Sequence, residues 1–198
     1  MINDVMIRII VVVIALCAPT NTKAYAQVDG HSNDQPPFTQ TRYALAINGG
    51  QSYSPTNEIQ FAQGAAIALF DYDKVWPHSA PEPLRFKVEA AVGMASTPHG
   101  RALMSVNMLA LYFIEPLATS TLRPYIEAGI GVSYSDYLVE DQGSRFNFNP
   151  QLGIGSEITS NGGPPWFIAC RLHHISNGGL DDDNRGINSA LIQIGRFF

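Results

Sequence analysis

Large apolar residues alternate with small or polar residues along most of the chain beyond residue 41. This period of two is typical of a β-strand whose two faces meet different surroundings. The pattern predicts eight strands of roughly ten residues, the length that a tilted membrane strand needs. Their expected ranges are 42–54, 58–70, 84–96, 102–114, 123–137, 146–158, 165–177 and 188–198.

The two faces of these strands differ in chemistry. One face is apolar throughout, and in the second strand we assign to it Ile59, Phe61, Ala65, Ile67 and Leu69. The opposite face holds small and amide residues together with the charged residues Arg85, Lys87, Glu89, Glu127, Glu157 and Arg171. An isolated charge facing lipid would cost about 2–4 kcal/mol near the bilayer midplane. We therefore expect the charges inside a barrel and the apolar face outside it. A soluble β-sandwich with the charges facing water is the alternative.

The predicted fold is all-β, an eight-stranded antiparallel transmembrane β-barrel that occupies residues 42–198. The final strand closes on Phe198, which resembles the C-terminal signature of bacterial outer-membrane proteins. Side chains just fill the interior of an eight-stranded barrel. Function is therefore expected on the outer wall or in the loops, and not in a general pore.

The N-terminal residues 1–26 resemble an export signal. Arg8 precedes an apolar run at residues 9–16, and Ala24 and Ala26 form an A-x-A cleavage site. We expect cleavage after Ala26, a polar leader at residues 27–41 and location in the bacterial outer membrane. Cleavage removes two basic residues and one acidic residue, so the formal net charge changes from -5 to -6.

The composition narrows the function classes further. Charged residues make up 15% of the chain, against a norm of about 25% for soluble proteins. After cleavage Cys170 is the single cysteine, so no intramolecular disulfide can form. There is no basic patch and no nucleic-acid motif, which argues against a nucleic-acid partner.

The candidate chemistry lies at the end of the seventh strand. His174 and Ser176 share the parity of the apolar face, where two polar groups are unusual. If the N-terminus is periplasmic, this strand ends at the external surface, and Asn188 begins the eighth strand on the same face. Adjacent strands lie about 5 Å apart, so the three side chains can meet on the lipid-facing wall.

A serine hydroxyl becomes a nucleophile when a histidine takes its proton and a third group orients the imidazole. Ser176 is the candidate nucleophile, His174 the base and Asn188 the orienting group. Backbone N–H groups of Gly178 and Gly179 and the amide of Asn184 are candidate oxyanion donors. The competing interpretation is a pair of polar residues that meets only headgroups or water at the barrel rim.

The stretch from His174 to Leu180, followed by Asn184 to Asn188, resembles the lipid A 3-O-deacylase (PagL-type) family of outer-membrane esterases. Residues 123–131 and 151–155 also look like strands of that family. The resemblance implies hydrolysis of the acyl ester at position 3 of lipid A, with lipopolysaccharide as substrate and no metal or cofactor. It leaves open whether the protein forms a homodimer.

One residue departs from the family pattern. The best-known members have a glutamate where this chain has Asn188. Either Asn188 orients His174, or an aspartate of the loop (Asp181, Asp182 or Asp183) does so, or activity is low. The same aspartates beside His173 and His174 suggest a calcium site less strongly, because adjacent strand residues point to opposite faces.

Two other functions remain open at this level. A non-catalytic barrel with a structural or adhesive role would depend on its loops and not on Ser176. A soluble exported β-domain would bind a lipid internally and would not fractionate with membranes.

Overall fold

The computed structural model describes residues 41–96, 99–159 and 163–198. The predicted signal peptide and nearly all of the predicted leader lie outside these ranges. The strands are β1 (Arg42–Ser54), β2 (Gln60–Asp71), β3 (Leu84–Ser96), β4 (Gly100–Phe113), β5 (Leu122–Ser135), β6 (Phe146–Phe148), β7 (Gln151–Ile158), β8 (Trp166–Ile175) and β9 (Ile187–Phe197). A short helix, α1 (Tyr72–Val75), and a 3-10 turn at Glu115–Leu117 connect strands. No helix of the described ranges is long and apolar enough to cross a membrane.

The strands form a closed antiparallel β-barrel with eight strand positions around the ring, each of which is called a stave below. Consecutive strands pair from β1 to β5, β5 pairs with β7, β7 with β8, β8 with β9, and β9 with β1, so the ring closes without an edge. Together β6 and β7 make one stave, because both pair with β5. The predicted fold class is confirmed.

The sixth predicted strand is interrupted between β6 and β7 at residues 149–150. Proline lacks a backbone N–H and cannot donate in the ladder, and Pro150 stands at this break. Asn149 still exchanges two backbone hydrogen bonds with Gly131, at 2.9 and 3.1 Å. The stave therefore keeps its course, while the carbonyl of Pro150 is left to accept from the neighbouring strand β8.

The outer wall is apolar on most staves, as expected. Leu45 and Ile47 of β1 are 62% and 72% exposed, and Leu152, Ile154, Ile192 and Ile194 also face outward. Cys170 is exposed on the same wall. A single apolar band thus surrounds the barrel between its two ends, which is typical of outer-membrane barrels.

The assignment of faces in the second strand was wrong. Ile59, Phe61, Ile67 and Leu69 are buried inside the barrel, and the outer face of β2 carries small residues such as Ala66. The physical reason is that the interior is layered. Two apolar clusters fill its two ends, and residues of β2 belong to both.

The six charged residues assigned to the interior are all buried there. Arg171 lies at the centre, where its guanidinium donates to Glu127 at 2.6 Å and to Glu89 at 3.0 Å. Lys87 pairs with the other oxygen of Glu127 at 2.5 Å. Towards one end, Glu157 accepts from Arg42 at 2.8 Å. The central contacts tie β3, β5 and β8 together across the lumen, and the last one ties β1 to β7, so the charges are structural.

Candidate active site

His174 and Ser176 lie on the outer wall at the end of β8, with their backbones held by the neighbouring stave. The N–H of His174 donates to the carbonyl of Pro150 at 3.0 Å. Ser176 and Phe148 exchange two backbone hydrogen bonds, at 2.8 and 3.1 Å. The predicted outward parity of His174 and Ser176 is confirmed, since both are half-buried between inward residues.

The imidazole of His174 contacts the amide of Asn188. Nδ1 of His174 lies 2.7 Å from Oδ1 of Asn188, and the two residues are direct cross-strand partners of β8 and β9. An amide oxygen only accepts, so this contact assigns the proton to Nδ1 and leaves Nε2 as an acceptor. The loop carboxylates of residues 181–183 do not take this position: Asp181 instead accepts from the backbone of Asp183 at 3.3 Å.

The Ser176 hydroxyl has no hydrogen-bond partner among the described residues. It is two residues from His174 on the same face, which separates their backbones by roughly 7 Å along the strand. The structure thus joins the predicted base to its orienting amide, and it leaves the predicted nucleophile beside them without a protein partner. Catalytic hydrogen bonds are often loose before substrate arrives and tighten in the complex.

The predicted oxyanion donors are only partly available. The N–H of Gly179 already donates to the side chain of Asn177 at 2.9 Å, so in this conformation it is not free for an oxyanion. Gly178 has a φ of 66°, in the left-handed region that favours glycine. Asn184 accepts the N–H of Asn177 through Oδ1 at 2.9 Å, which leaves its amide N–H groups as donors.

Sequence reasoning missed the part that Asn177 plays. Its buried side chain donates to the carbonyl of Asp183 at 2.7 Å and to that of Gln142 at 3.2 Å. The backbone N–H of Asn177 also donates to Asn184, and its side chain accepts from Gly179. Asn177 thus holds the two ends of the loop after β8 together. The signal in the sequence was its inward parity next to Ser176, where a polar side chain must find partners.

Gly186 supports the other side of the imidazole. A Cβ at this position would overlap the ring of His174, with Nε2 only 2.9 Å away. The glycine therefore lets the backbone pass against the histidine, which fixes the ring between Gly186 and Asn188.

The neighbouring His173 points into the barrel, as its parity predicts. Its Nδ1 lies 3.0 Å from Oδ1 of Asn149, and its ring meets the edge of Phe61. The described residues contain no group of three His, Cys, Asp or Glu side chains that could hold a metal ion.

Comparison with known proteins identifies the family of this chain. A sequence model of the family "Lipid A 3-O-deacylase (PagL)" matches residues 71–196. The chain belongs to the lipid A 3-O-deacylase (PagL) family. The match includes His174, Ser176, Asn184 and Asn188, so the candidate site lies within the region that defines membership.

One curated relative in this family is the lipid A deacylase PagL of Pseudomonas aeruginosa. It is 40% identical over 80 residues, which cover 39% of this chain and 44% of the relative. The aligned part thus spans less than half the length of that protein.

Two solved structures share the fold. The crystal structure of the outer membrane enzyme PagL superposes with a TM-score of 0.58 at 24% identity, covering 77% of this chain and 97% of that one. Neisserial surface protein A (NspA) superposes with a TM-score of 0.53 at 14% identity, covering 79% and 95%. At these identities the likeness concerns the barrel.

This member of the PagL family also has a groove in its outer wall beside the site. The groove has a volume of about 830 Å³ and is almost entirely apolar. The groove forms where the outward residues of β2 and β3 are small, among them Gly64, Ala66 and Ala90. Phe148, the backbone partner of Ser176, lies at the other side of the groove. One side of the groove is thus formed by the residue whose backbone pairs with Ser176.

Proposed function

We propose that this protein is a lipid A 3-O-deacylase that hydrolyses the position-3 acyl ester of lipid A in the outer leaflet of the bacterial outer membrane. One observation carries the proposal. His174, oriented at 2.7 Å by Asn188, stands beside Ser176 on the lipid-facing side of the wall. Membership in the lipid A 3-O-deacylase family supports the same substrate.

In the first half of the reaction, Ser176 Oγ attacks the carbonyl carbon of the ester. Nε2 of His174 accepts the hydroxyl proton as the new C–O bond forms. The negative charge moves to the carbonyl oxygen, where the N–H of Gly178 and the amide of Asn184 donate hydrogen bonds. The bond to the sugar oxygen then breaks, and His174 returns its proton to that oxygen.

In the second half, water attacks the acyl group now attached to Ser176. His174 accepts a proton from the water, the acyl–serine bond breaks, and the proton passes to Ser176 Oγ. The products are a free fatty acid and the original enzyme. Throughout, Asn188 keeps the proton on Nδ1 of His174, so that Nε2 can act first as base and then as acid.

Asn188 gives the site a neutral orienting group. An amide oxygen fixes the tautomer of the histidine, but it stabilises the transient imidazolium less than a carboxylate does. We therefore propose that this protein turns over more slowly than an otherwise equal site with an acidic residue at position 188.

The test is mass spectrometry of lipid A from a Gram-negative host that produces the full-length protein and has no 3-O-deacylase of its own. We expect loss of one 3-hydroxyacyl group, and Ser176→Ala should abolish this loss. Ser156→Ala is the matched control, since Ser156 is another half-buried serine on the outer wall, in β7 and away from the site. Unchanged lipid A with folded wild-type protein in the outer membrane would contradict the proposal.

A further inference from the structure

Three arginines lie at the end of the barrel that carries Ser176, and two of them converge on one carboxylate. Nη1 of Arg145 lies 2.7 Å from Oδ1 of Asp136, and Nη1 of Arg101 lies 4.0 Å from Oδ2 of the same residue. The third, Arg185, has Nη1 3.9 Å from Oδ2 of Asp141, and its backbone N–H donates to the carbonyl of Asp141 at 2.7 Å. Both arginines of the pair are about half exposed, with side-chain exposures of 45% and 52%.

The setting of the pair makes its charge unusual. The connections at this end otherwise carry acidic residues: Glu58, Asp136, Glu140, Asp141, Asp181, Asp182 and Asp183. A surface this acidic repels anionic lipid headgroups. Arg101 and Arg145 share one carboxylate, so the cluster keeps a net positive charge at one place on an acidic rim.

The cluster adjoins, along the chain, two residues that line the apolar groove. Arg145 precedes Phe146, Asp136 follows Tyr134 by two residues, and both aromatic rings line the groove. These rings contact each other at 5.0 Å between centroids. The backbone N–H of Asp136 donates to the carbonyl of Ala102 at 2.8 Å, which holds the residue after β5 against β4.

The cluster is also within reach of the candidate nucleophile. Arg145 is three residues from Phe148, the backbone partner of Ser176. Three residues of strand span roughly 10 Å. A lipid with one acyl chain in the groove and its ester at Ser176 would therefore bring its polar head beside these guanidinium groups.

A guanidinium presents five N–H donors in a planar fork that matches phosphate, and a bond to one carboxylate oxygen leaves donors free. Asp136 would hold the two guanidinium groups in place and leave some of their N–H donors free to bind a phosphate.

We propose that Arg101 and Arg145 form a phosphate-binding site that selects phosphorylated lipid A as the substrate. This inference rests on the proposed function, and it assigns specificity to residues outside the Ser176–His174–Asn188 group. Asp136 is the positioning residue that holds both arginines at the mouth of the groove.

The experiment compares two substrates in mixed detergent micelles with a chelator present: lipid A bearing its phosphates, and the same lipid A with the phosphates removed. For the Arg101→Gln, Arg145→Gln double variant we expect kcat/KM on the phosphorylated lipid to fall roughly 10- to 100-fold, because charge-assisted hydrogen bonds are lost. The loss should lie mostly in KM, and the phosphate-free lipid should be hydrolysed as by the wild type.

Arg185→Gln is the matched control, since it removes the third arginine of the same rim and should leave both substrates unchanged. Equal losses on both substrates, or no loss on either, would overturn the proposal. A wild-type protein without preference for the phosphorylated lipid would overturn it as well.

A binding measurement separates this proposal from the proposed function. Purified Ser176→Ala protein is tested for retained lipid by native mass spectrometry, with and without the two arginine substitutions. Retention of the phosphorylated lipid should depend on the arginines even where no hydrolysis occurs. Retention that is independent of them would refute the phosphate site, whatever the activity of the wild type.

Discussion

His173 and His174 are neighbours in β8, and each places Nδ1 against the amide oxygen of an asparagine, at 3.0 and 2.7 Å. Their surroundings differ in every other respect. Nε2 of His173 is buried without a hydrogen-bond partner in the described part of the chain, whereas His174 is half-buried on the outer wall beside Ser176. The same local chemistry is therefore structural on one face of the strand and available to a lipid on the other.

The largest expected effect separates these two histidines. His174→Gln should lower deacylation by roughly 10³-fold or more, because the serine loses its base. Release of 3-hydroxy fatty acid from lipid A micelles measures the rate, and the heat-dependent gel shift of a folded barrel checks the fold. Activity that survives in this variant at more than a tenth of the wild-type rate would show that His174 is not the base.

Gly186→Ala should have the next largest effect. The new Cβ overlaps the imidazole of His174 and forces the ring away from Asn188. We expect roughly a 10²-fold loss of rate, since a misplacement of about 1 Å can cost that much. Gly49→Ala is the control, because a Cβ there meets nothing within 4 Å. Equal rates for the two variants would contradict the packing role of Gly186.

Two substitutions of Asn188 should change the rate in opposite directions. Asn188→Ala should lower the rate roughly 10- to 100-fold, because His174 loses the acceptor that fixes its tautomer. Asn188→Glu should raise the rate above that of the wild type, because a carboxylate stabilises the transient imidazolium. A glutamate variant slower than the alanine variant would show that the amide plays another part.

The smallest effect is expected for the inner histidine. His173→Gln should keep the rate within about twofold of the wild type and reduce the free energy of unfolding by about 1 kcal/mol, the value of one hydrogen bond to Asn149. Urea unfolding in detergent micelles measures the stability. A large loss of activity with unchanged stability would place His173 in the reaction.

The sequence alone predicted much of this contrast. Alternation in a strand determines which residues share a face, so the opposite orientations of His173 and His174 followed from parity. The cross-strand contact of His174 with Asn188 followed from the antiparallel course of β8 and β9. The interior position of Arg171 and its partners followed from the cost of charge in lipid.

Other features could not be predicted from alternation along the sequence, because they depend on contacts that form only in the folded barrel. The apolar residues of β2 face inward because both ends of the lumen need apolar filling, and alternation alone cannot distinguish an apolar interior layer from a lipid-facing wall. The engagement of Gly179 by Asn177 is a local loop contact. The groove depends on small residues of several staves coming into register, which only the closed barrel brings together.

Covalent trapping shows whether Ser176 acts as a nucleophile on the outer wall. The folded protein is treated with a long-chain alkyl fluorophosphonate in detergent micelles, and peptide mass spectrometry locates the adduct. We predict one adduct, on Ser176, that is lost in His174→Gln and retained in His173→Gln. An unlabelled Ser176 in a preparation that deacylates lipid A would rule out Ser176 as the nucleophile.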